Sequence, residues 1–286
     1  MFNFFRKKPL KTIDKNTIEK EIEQFSENGT GEGDVIISLT SFPQRIYEIH
    51  YTLYSLLTQT VKPQKVILWL AKEQFPNLEK DIPEKVLKLK ENGLSIEWCE
   101  DLRSYKKLIP TLQKYPNKTI VTADDDIFYE RNWLEILMNS HNQNPDEIIA
   151  HRAHRIKLNK NGIAPYKKWR KRINGTKASY LNFLTGAGGV LYPANCFHKD
   201  ICNVGMFKEL APQADDVWFW AMAVLNRTKT FVPKEHIKEL TYINPERERG
   251  LTNEITLFTL NKKGGNDLQI EKIINHYPQI LEILRK

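Results

Sequence analysis

The amino-acid sequence predicts an α/β fold, in which a mostly parallel central sheet is flanked by helices. Runs rich in β-branched residues alternate with segments whose apolar residues recur at helical spacing, and this alternation favours parallel strands covered by helices. The chain has 286 residues, of which 41% are hydrophobic and 27% charged, so it can bury a large core. Polar turns directly follow two of the runs, at the sheet edge where such folds bind ligands.

The first half of the chain contains the regular pattern. Residues 34–39 (DVIISL) predict the first strand, and residues 47–57 predict a helix because their apolar side chains share one helical face. Further strands and helices then alternate, and we expect them at residues 65–70, 78–89, 95–98, 105–114 and 119–123.

The second half is less regular. Residues 180–192 contain the sequence GAGG and predict a glycine-hinged strand or loop. Residues 214–226 predict an amphipathic helix that begins with two aspartates. We expect residues 1–33 to form an N-terminal extension, residues 34–267 the main domain and residues 268–286 a C-terminal helix.

The composition argues against a membrane-spanning protein. No apolar run approaches the roughly 20 residues that cross a bilayer, and the start MFNFFRKKPLK lacks the apolar core of a signal peptide. The three cysteines, Cys99, Cys196 and Cys202, lack metal-ligand spacing, which agrees with a reducing compartment. We therefore expect a cytoplasmic protein.

The formal net charge of +8 is concentrated in one segment. Residues 148–199 contain eleven Lys and Arg and no Asp or Glu. This segment could contact phosphates, an anionic membrane or an acidic polymer, or it could be a solvated loop. Nucleic acid is disfavoured as a partner because no binding motif accompanies the cations. Aromatic and basic residues at positions 2–8 could also rest on an anionic membrane, or could be a frayed terminus.

Three consecutive aspartates follow the fourth predicted strand. Asp124, Asp125 and Asp126 lie between apolar runs, where crowded carboxylates are unfavourable unless a cation or hydrogen bonds compensate. In an extended chain Asp124 and Asp126 would face one side and Asp125 the other. Two such ligands suit Mg²⁺ or Mn²⁺. The alternative is an acidic turn in which Asp126 caps a following helix.

Five segments in order resemble bacterial glycosyltransferases of the GT-A fold, especially those that make cell-surface polysaccharides. The resemblance covers residues 34–267 and implies a GT-A-like, Rossmann-like sheet in which residues 34–130 bind a nucleotide sugar and residues 131–267 bind the acceptor. The segments are VIISLTSFPQR, SLLTQTVKPQKVILWL, YKKLIPTLQKYPNKTIVTADDDIFY, LTGAGGVLYP and ADDVWFWAMAVL.

The resemblance assigns roles around the first and fourth strands. ADDD is similar to the family's DxD motif, which implies that Asp126 contacts the metal, that Asp124 faces ribose or metal, and that Asp125 supports them. The family often has Asp after its second strand, where this chain has Trp69, a residue that could stack on a base. The first turn is similar to the family's nucleotide-contacting loop, and the residues implied there are Thr40, Ser41, Phe42 and Arg45.

Four further residues are donor-side candidates. Lys106 and Lys107 could reach the donor phosphates, or they could be ordinary lysines on a helix surface. The resemblance implies that Gly188 and Gly189 border the donor sugar, since a residue without a Cβ permits close approach. Their alternative role is a flexible turn.

A second acidic pair and one histidine complete the candidate site. Asp215 and Asp216 could cap the helix that they begin, or, by resemblance, supply the base that deprotonates the acceptor hydroxyl. We favour Asp216 as the base and Asp215 as its partner, because neighbouring carboxylates raise one pKa. The resemblance also makes His236 a candidate third metal ligand.

These features predict a metal-dependent glycosyltransferase. The donor would be a nucleotide sugar, with a UDP-sugar the first expectation, and the acceptor a saccharide or lipid-linked saccharide in the synthesis of lipopolysaccharide, capsule or a related surface glycan. Inversion is favoured because a candidate base is present. Two alternatives stay open: a sugar-phosphate nucleotidyltransferase, and a non-catalytic module that binds polysaccharide or membrane.

Overall fold

A computed structural model describes residues 9–160, 162–248 and 265–286, and its main feature is a sheet of eight strands. All four strands predicted in the first half are present, within one residue of the expected bounds. The strands are β1 Val35–Thr40, β2 Lys65–Ala71, β3 Leu94–Cys99, β4 Thr119–Thr122, β5 Ile127–Phe128, β6 Ile148–Ala150, β7 Ala153–Arg155, β8 Leu158–Asn159, β9 Gly162–Ile163, β10 Thr176–Ser179, β11 Asn182–Leu184, β12 Val190–Tyr192, β13 Thr230–Val232 and β14 Thr241–Tyr242.

Helices cover both faces of the large sheet. They are α1 Lys15–Glu23, α2 Ile49–Leu57, α3 Glu84–Lys88, α4 Ile109–Lys114, α5 Trp133–Gln143, α6 Val204–Leu210, α7 Asp215–Leu225, α8 Pro245–Glu248, α9 Asn266–His276 and α10 Gln279–Leu284. Short 3₁₀ turns precede or follow several of them, among them residues 103–107 before α4.

The strand order of the large sheet is β10-β13-β6-β12-β4-β1-β2-β3. The pairs β1 with β2, β1 with β4, β2 with β3, and β13 with β6 are parallel. Strand β12 lies antiparallel between β4 and β6, and β10 is antiparallel to β13. Six of the eight strands therefore run in one direction, which confirms the predicted α/β fold with a mostly parallel sheet.

Side-chain alternation along the strands produces two buried layers. In β1, Ile37 and Leu39 pack with α2, α3 and α5 on one face, whereas Ile36 faces the other side beside Ile67 and Trp69. On that other side, near β4, β6 and β12, a larger cluster joins the sheet to α7, α9 and α10. Because both faces of the strands are covered, the strands are apolar along almost their whole length.

Several helices differ from the sequence prediction. The helix expected at residues 78–89 is broken, because Pro83 precedes α3 and separates it from a 3₁₀ turn. The C-terminal segment forms two helices, α9 and α10, with Pro278 between them. The prediction that residues 214–226 form an amphipathic helix is wrong in one respect. Nine of the eleven residues of α7 are buried, since α9 and α10 cover the side away from the sheet.

The N-terminal segment packs on the domain. Helix α1 contacts α2 and α3 through Glu19, whose carboxylate accepts hydrogen bonds from Tyr51 and Lys85. Thr12 forms a parallel bridge with Tyr242 in β14. The aromatic and basic residues at positions 2–8, which suggested membrane contact, lie outside the described residues. Within the described ranges, no helix combines the length and apolar character that a bilayer-spanning segment needs.

Candidate active site at the carboxyl edge of the sheet

The turns after β1 and β4 lie side by side. Strands β1 and β4 are parallel neighbours, with Ser38 opposite Thr122, so both chains leave the sheet at the same edge. The hydroxyl of Ser41 donates to Asp125 Oδ2 over 2.7 Å, and the hydroxyl of Thr52 in α2 donates to the Asp125 carbonyl oxygen over 3.1 Å. These hydrogen bonds join both the turn containing residues 40–45 and helix α2 to the aspartate triplet.

Arg45 holds two of the three aspartates. Its Nη1 atom lies 2.7 Å from Asp125 Oδ1 and 2.8 Å from Asp126 Oδ2, and its guanidinium also packs over the Phe42 ring at 5.3 Å. Asp125 and Asp126 form a turn, so the alternation expected of an extended chain does not hold here. The alternative in which Asp126 caps a helix is also wrong, because β5 intervenes and Asn132 precedes α5.

Lys107 forms the centre of a second group of charges. Its Nζ atom lies 3.2 Å from Asp124 Oδ1 and 3.0 Å from Asp215 Oδ2, and the side chain is only 9% exposed. Burial by itself lowers the pKa of Lys107, but the charges of Asp124, Asp215 and Asp216 outweigh it and hold that pKa well above the ordinary value. Lys107 is therefore a permanent cation inside the site, and the alternative of a surface lysine is wrong.

Asp216 follows Asp215 at the start of α7 and belongs to the same group of charges. The backbone N–H of Gly186 donates to both of its carboxylate oxygens, over 3.0 and 3.1 Å. The pKa of Asp216 is raised to about 7, chiefly because the surrounding protein removes water from its carboxylate. The negative charge of Asp215 acts in the same direction, whereas Lys107 and the Gly186 N–H act to lower the pKa. A carboxyl with this pKa can exchange a proton near neutral pH, as a general base must.

The acidic triplet meets the minimum that a hard divalent cation requires. Asp124 and Asp126 offer carboxylate oxygens at an accessible sheet edge, with side chains 27% and 15% exposed. Mg²⁺ typically takes one or two protein carboxylates and completes its shell with water and substrate phosphate. Nowhere in residues 9–160, 162–248 and 265–286 do three or more His, Cys, Asp or Glu form a metal-binding group. The donor set thus fits a cation that arrives with a phosphate-bearing ligand.

His236 is not assembled with the aspartates into a three-ligand group within the described ranges. Its Nδ1 atom faces the carbonyl oxygens of Pro233 and Lys234, so that nitrogen is the donor. The neighbouring His151 is fully buried, accepts a hydrogen bond from the Ile237 N–H, and has its pKa lowered to about 4 by burial. His151 is accordingly a neutral structural histidine.

Two donor-side candidates are internal to the fold. Trp69 is 5% exposed and donates from Nε1 to the Thr111 hydroxyl over 2.7 Å, so it is a core residue and is not available to stack on a base in this conformation. Lys106 is 2% exposed, and its Nζ contacts Asp101 and Gln74. The hydroxyl of Thr40 donates to the Trp69 carbonyl, which fixes the end of β1.

Gly188 and Gly189 of the GAGG loop both adopt backbone conformations that favour glycine, and both contact Trp133. Gly189 has φ +97°, and a Cβ there would come 2.4 Å from the Trp133 side chain. Gly188, with φ +108°, accepts from Trp133 Nε1 through its carbonyl oxygen. The loop is a turn, in which the Gly189 N–H donates to the Gly186 carbonyl over 2.9 Å, and Trp133 packs against both glycines.

Sequence reasoning missed several residues that shape the site. Gly186 binds Asp216, and Tyr129 accepts a hydrogen bond from the Asp124 N–H over 2.8 Å. In α2, Thr52 donates to the Asp125 carbonyl inside the triplet, and Ser55 accepts from the Tyr129 N–H three residues after it. The sequence places Thr52 and Ser55 three residues apart on a predicted helix, and so on one face of it. Their hydrogen-bond partners follow only from the packing of α2 against the triplet.

The fold and this arrangement define the chain as an α/β protein with a carboxylate-rich site at the carboxyl edge of its sheet. No protein-family model and no curated protein matches the sequence. Solved structures resemble it at low identity. S. aureus TarS 1–349 in complex with UDP is 13% identical, with a TM-score of 0.49 over 88% of this chain and 71% of that chain.

Two further solved structures resemble this chain at comparably low identity and TM-score. The mannosyltransferase PcManGT from Pyrobaculum calidifontis, in complex with GDP-Man and Mn²⁺, is 10% identical, with a TM-score of 0.46 over 91% of this chain and 79% of that chain. The inositol-1-phosphate CTP transferase from T. maritima is 14% identical, with a TM-score of 0.43 over 86% of this chain and 98% of that one. These likenesses do not distinguish sugar transfer from nucleotidyl transfer.

Proposed function

We propose that this chain is a nucleotide-sugar glycosyltransferase with a GT-A-like fold. One observation carries the proposal: one buried cation, Lys107, pairs with both Asp124 of the accessible acidic triplet and Asp215, the residue next to Asp216, whose pKa is raised to about 7. Sugar transfer needs both features, since one acidic group must hold the leaving diphosphate through a cation and another must take a proton from the acceptor.

The donor would bind along the turn after β1. Arg45 and Ser41 lie beside the triplet, where a guanidinium and hydroxyl suit phosphate and ribose oxygens. A cleft of about 370 Å³ adjoins this turn and could take a nucleoside. Its lining includes Pro43, Ile46, Tyr47, Gln74 and Phe75. A UDP-sugar is the first donor to test.

A divalent cation would be held by Asp124 and Asp126. When bound, Mg²⁺ or Mn²⁺ supplies charge stabilisation to the departing diphosphate. The protein's own contribution is to orient these carboxylates. Arg45 and Lys107 each hold one carboxylate oxygen, and the Asp124 N–H is fixed by Tyr129.

Asp216 would act as the base. Its carboxylate takes the proton of an acceptor hydroxyl, whose oxygen then bonds to the anomeric carbon of the donor sugar. The bond from that carbon to the diphosphate breaks, and the diphosphate leaves with the electron pair. Direct displacement of this kind inverts the anomeric configuration. Asp215 and Lys107 tune the proton affinity of Asp216, since both lie beside it at the start of α7.

Calorimetric titration with nucleoside diphosphates, with and without Mn²⁺, tests the donor half of the proposal. We expect at least one of UDP, GDP and CDP to bind, and to bind more tightly with the metal. Arg45→Gln should weaken that binding, whereas the exposed Lys72→Gln is a matched loss of one positive charge that should not. Absence of binding to every nucleotide under both conditions would overturn the proposal.

A screen of nucleotide sugars then identifies the donor. Hydrolysis or transfer is measured for each sugar nucleotide with mixed saccharide acceptors. In a parallel arm, a nucleoside triphosphate is supplied with a sugar 1-phosphate. Release of pyrophosphate in that arm, with no transfer in the first, would reassign the chain to nucleotidyl transfer.

A further inference from the structure

A small sheet places basic residues beside Asp216. Strands β7 and β11 pair antiparallel, and the Thr185 N–H extends the contact by donating to the Arg152 carbonyl over 3.1 Å. Gly186, the next residue, is the one that binds Asp216. A Cβ on Gly188 would lie 3.2 Å from Arg152 Cδ. Arg152 and Asp216 therefore border the same loop of residues 185–189.

The opposite edge of β7 carries three more basic residues, Arg170, Lys171 and Arg172. The Arg155 N–H donates to the Arg170 carbonyl, and the Ile173 N–H donates to the Ala153 carbonyl, so residues 170–173 run along β7. Within that segment, the backbone N–H of Arg172 donates to His154 Nδ1. Burial and nearby cations lower the pKa of His154 to about 4, so this histidine is neutral and adds no charge.

Lys171, the second basic residue of this segment, packs against two aromatic rings. Lys171 Nζ lies 3.0 Å from the centre of the Tyr166 ring and 5.7 Å from that of Trp169, which is buried. Burial lowers the pKa of Lys171 to about 8, against the opposing charge of Asp267. Asp267 also accepts a hydrogen bond from the Tyr166 N–H, so it offsets part of the positive charge here.

Tyr166 connects this group to the candidate base. Burial, and next the charge of Asp216, raise the pKa of Tyr166 to about 12, whereas Arg152 acts in the opposite direction. The centre of its ring also lies 5.7 Å from that of His154 in β7 and 6.2 Å from that of Phe183 in β11, so Tyr166 packs on the small sheet that contains the Arg152 and Asp216 contacts. Two cations, a tyrosine and a proton acceptor therefore occur around β7, β11 and the loop of residues 185–189.

We infer that the acceptor is an anionic saccharide, carrying a carboxylate or a phosphate, whose charge is held by Arg152 and Lys171 beside Tyr166. This inference rests on the proposed function, since it assigns the acceptor of that reaction. The segment of residues 148–199 contains no Asp or Glu, so the polarity of this side of the site is built into the sequence.

Binding of matched saccharides tests the inference without donor. Glucuronic acid oligosaccharides, glucose oligosaccharides of the same length and glucose 6-phosphate are titrated into the protein, and tryptophan fluorescence or calorimetry reports binding. We expect the uronate or the phosphate to bind at least fivefold more tightly than the neutral sugar. Lys171→Gln and Arg152→Gln should each weaken anionic binding about fivefold and leave the neutral sugar unchanged.

Controls separate this site from a general charge effect. Lys157→Gln and Lys160→Gln remove the same charge from the β8–β9 hairpin of the same basic segment, and they should bind anionic saccharides as the unmodified protein does. Equal affinity for charged and neutral sugars would overturn the inference. Binding of the Arg152 and Lys171 variants to phosphatidylglycerol vesicles and to UDP with Mn²⁺ is measured as well. A loss of affinity confined to the vesicles, or confined to UDP with Mn²⁺, would also overturn the inference.

The two proposals fail separately. If no nucleotide binds but the uronate preference persists and depends on Lys171, the glycosyltransferase proposal is wrong and an anionic saccharide site remains. If nucleotides bind with metal but charged and neutral saccharides bind alike, the acceptor inference alone is wrong.

Discussion

Asp124, which follows β4, and Asp215, which begins α7, contact the same ammonium group, that of Lys107, at 3.2 and 3.0 Å. One lysine therefore links the two acidic groups that the sequence separates widely. Because Lys107 is buried and its partners are carboxylates, its charge is required by the fold as well as by the chemistry we propose.

Replacement of Lys107 by Met should destabilise the protein. The change leaves carboxylates without their buried counter-ion, and breaking such a pair costs about 3–5 kcal/mol. Urea denaturation at pH 7 measures the free energy of unfolding. Lys114→Met is the control, because Lys114 pairs with Glu97 while 45% exposed and should change stability by about 0–1 kcal/mol. Equal effects of the two substitutions would contradict the assignment.

Replacement of Asp216 by Asn should abolish transfer and spare donor binding. Loss of a general base lowers the rate by about 10²–10⁴-fold, whereas the donor contacts on the triplet side are untouched. Steady-state transfer and nucleotide titration on the same preparation give both quantities. Asp146→Asn, an exposed change of the same kind, should leave both unaltered. Retained turnover in Asp216→Asn would remove Asp216 as the base.

The pH dependence of transfer should follow the Asp216 carboxyl. The base works only when ionised, so kcat/KM should fall as the pH drops through about 7. Asp215 raises the pKa of Asp216 by its negative charge, so Asp215→Asn should move this acid limb to lower pH. A pH profile of kcat/KM for both proteins checks the direction. If Asp215→Asn left the acid limb unchanged or moved it to higher pH, Asp216 and Asp215 would not be the origin of the pH dependence.

Replacement of Gly186 by Ala should impair transfer more than folding. The added Cβ would lie 2.8 Å from Lys107 Nζ and 3.1 Å from Asp216 Oδ1, so the end of the lysine side chain must move. Displacement of reacting groups by about 1 Å can cost 10²-fold in rate. Transfer rate and melting temperature are measured together. A normal rate would show that the position of Lys107 does not matter for turnover.

Replacement of Gly189 by Ala should act on stability. Its φ of +97° disfavours an L-residue, and the Cβ would overlap Trp133, so we expect a loss of about 1–3 kcal/mol in unfolding free energy. Gly205→Ala is the matched control, since Gly205 is helical and an added Cβ would lie 3.6 Å from Asn203 Oδ1; it should stabilise the protein by up to about 1 kcal/mol. A neutral Gly189→Ala would contradict the packing argument.

Much of the fold could be predicted from the sequence because the signals are local. The runs DVIISL and KVILWL are apolar along their whole length, as strands buried on both faces must be, and they became β1 and β2. The prediction of one helix over residues 78–89 was wrong for an equally local reason, since Pro83 interrupts the segment. The antiparallel insertion of β12 was not predictable, because three residues after a glycine loop do not specify their partners.

By itself, the sequence determined that carboxylates and hydroxyls gather at strand ends, because parallel strands bring their carboxyl termini to one edge. It also determined the basic character of residues 148–199. Only the tertiary structure decided which charges meet: Arg45 with Asp125 and Asp126, and Lys107 with Asp124 and Asp215. Electrostatic energy depends on distance and burial in space, and neither can be read from spacing along the chain. The raised pKa of Asp216 is a consequence of that packing.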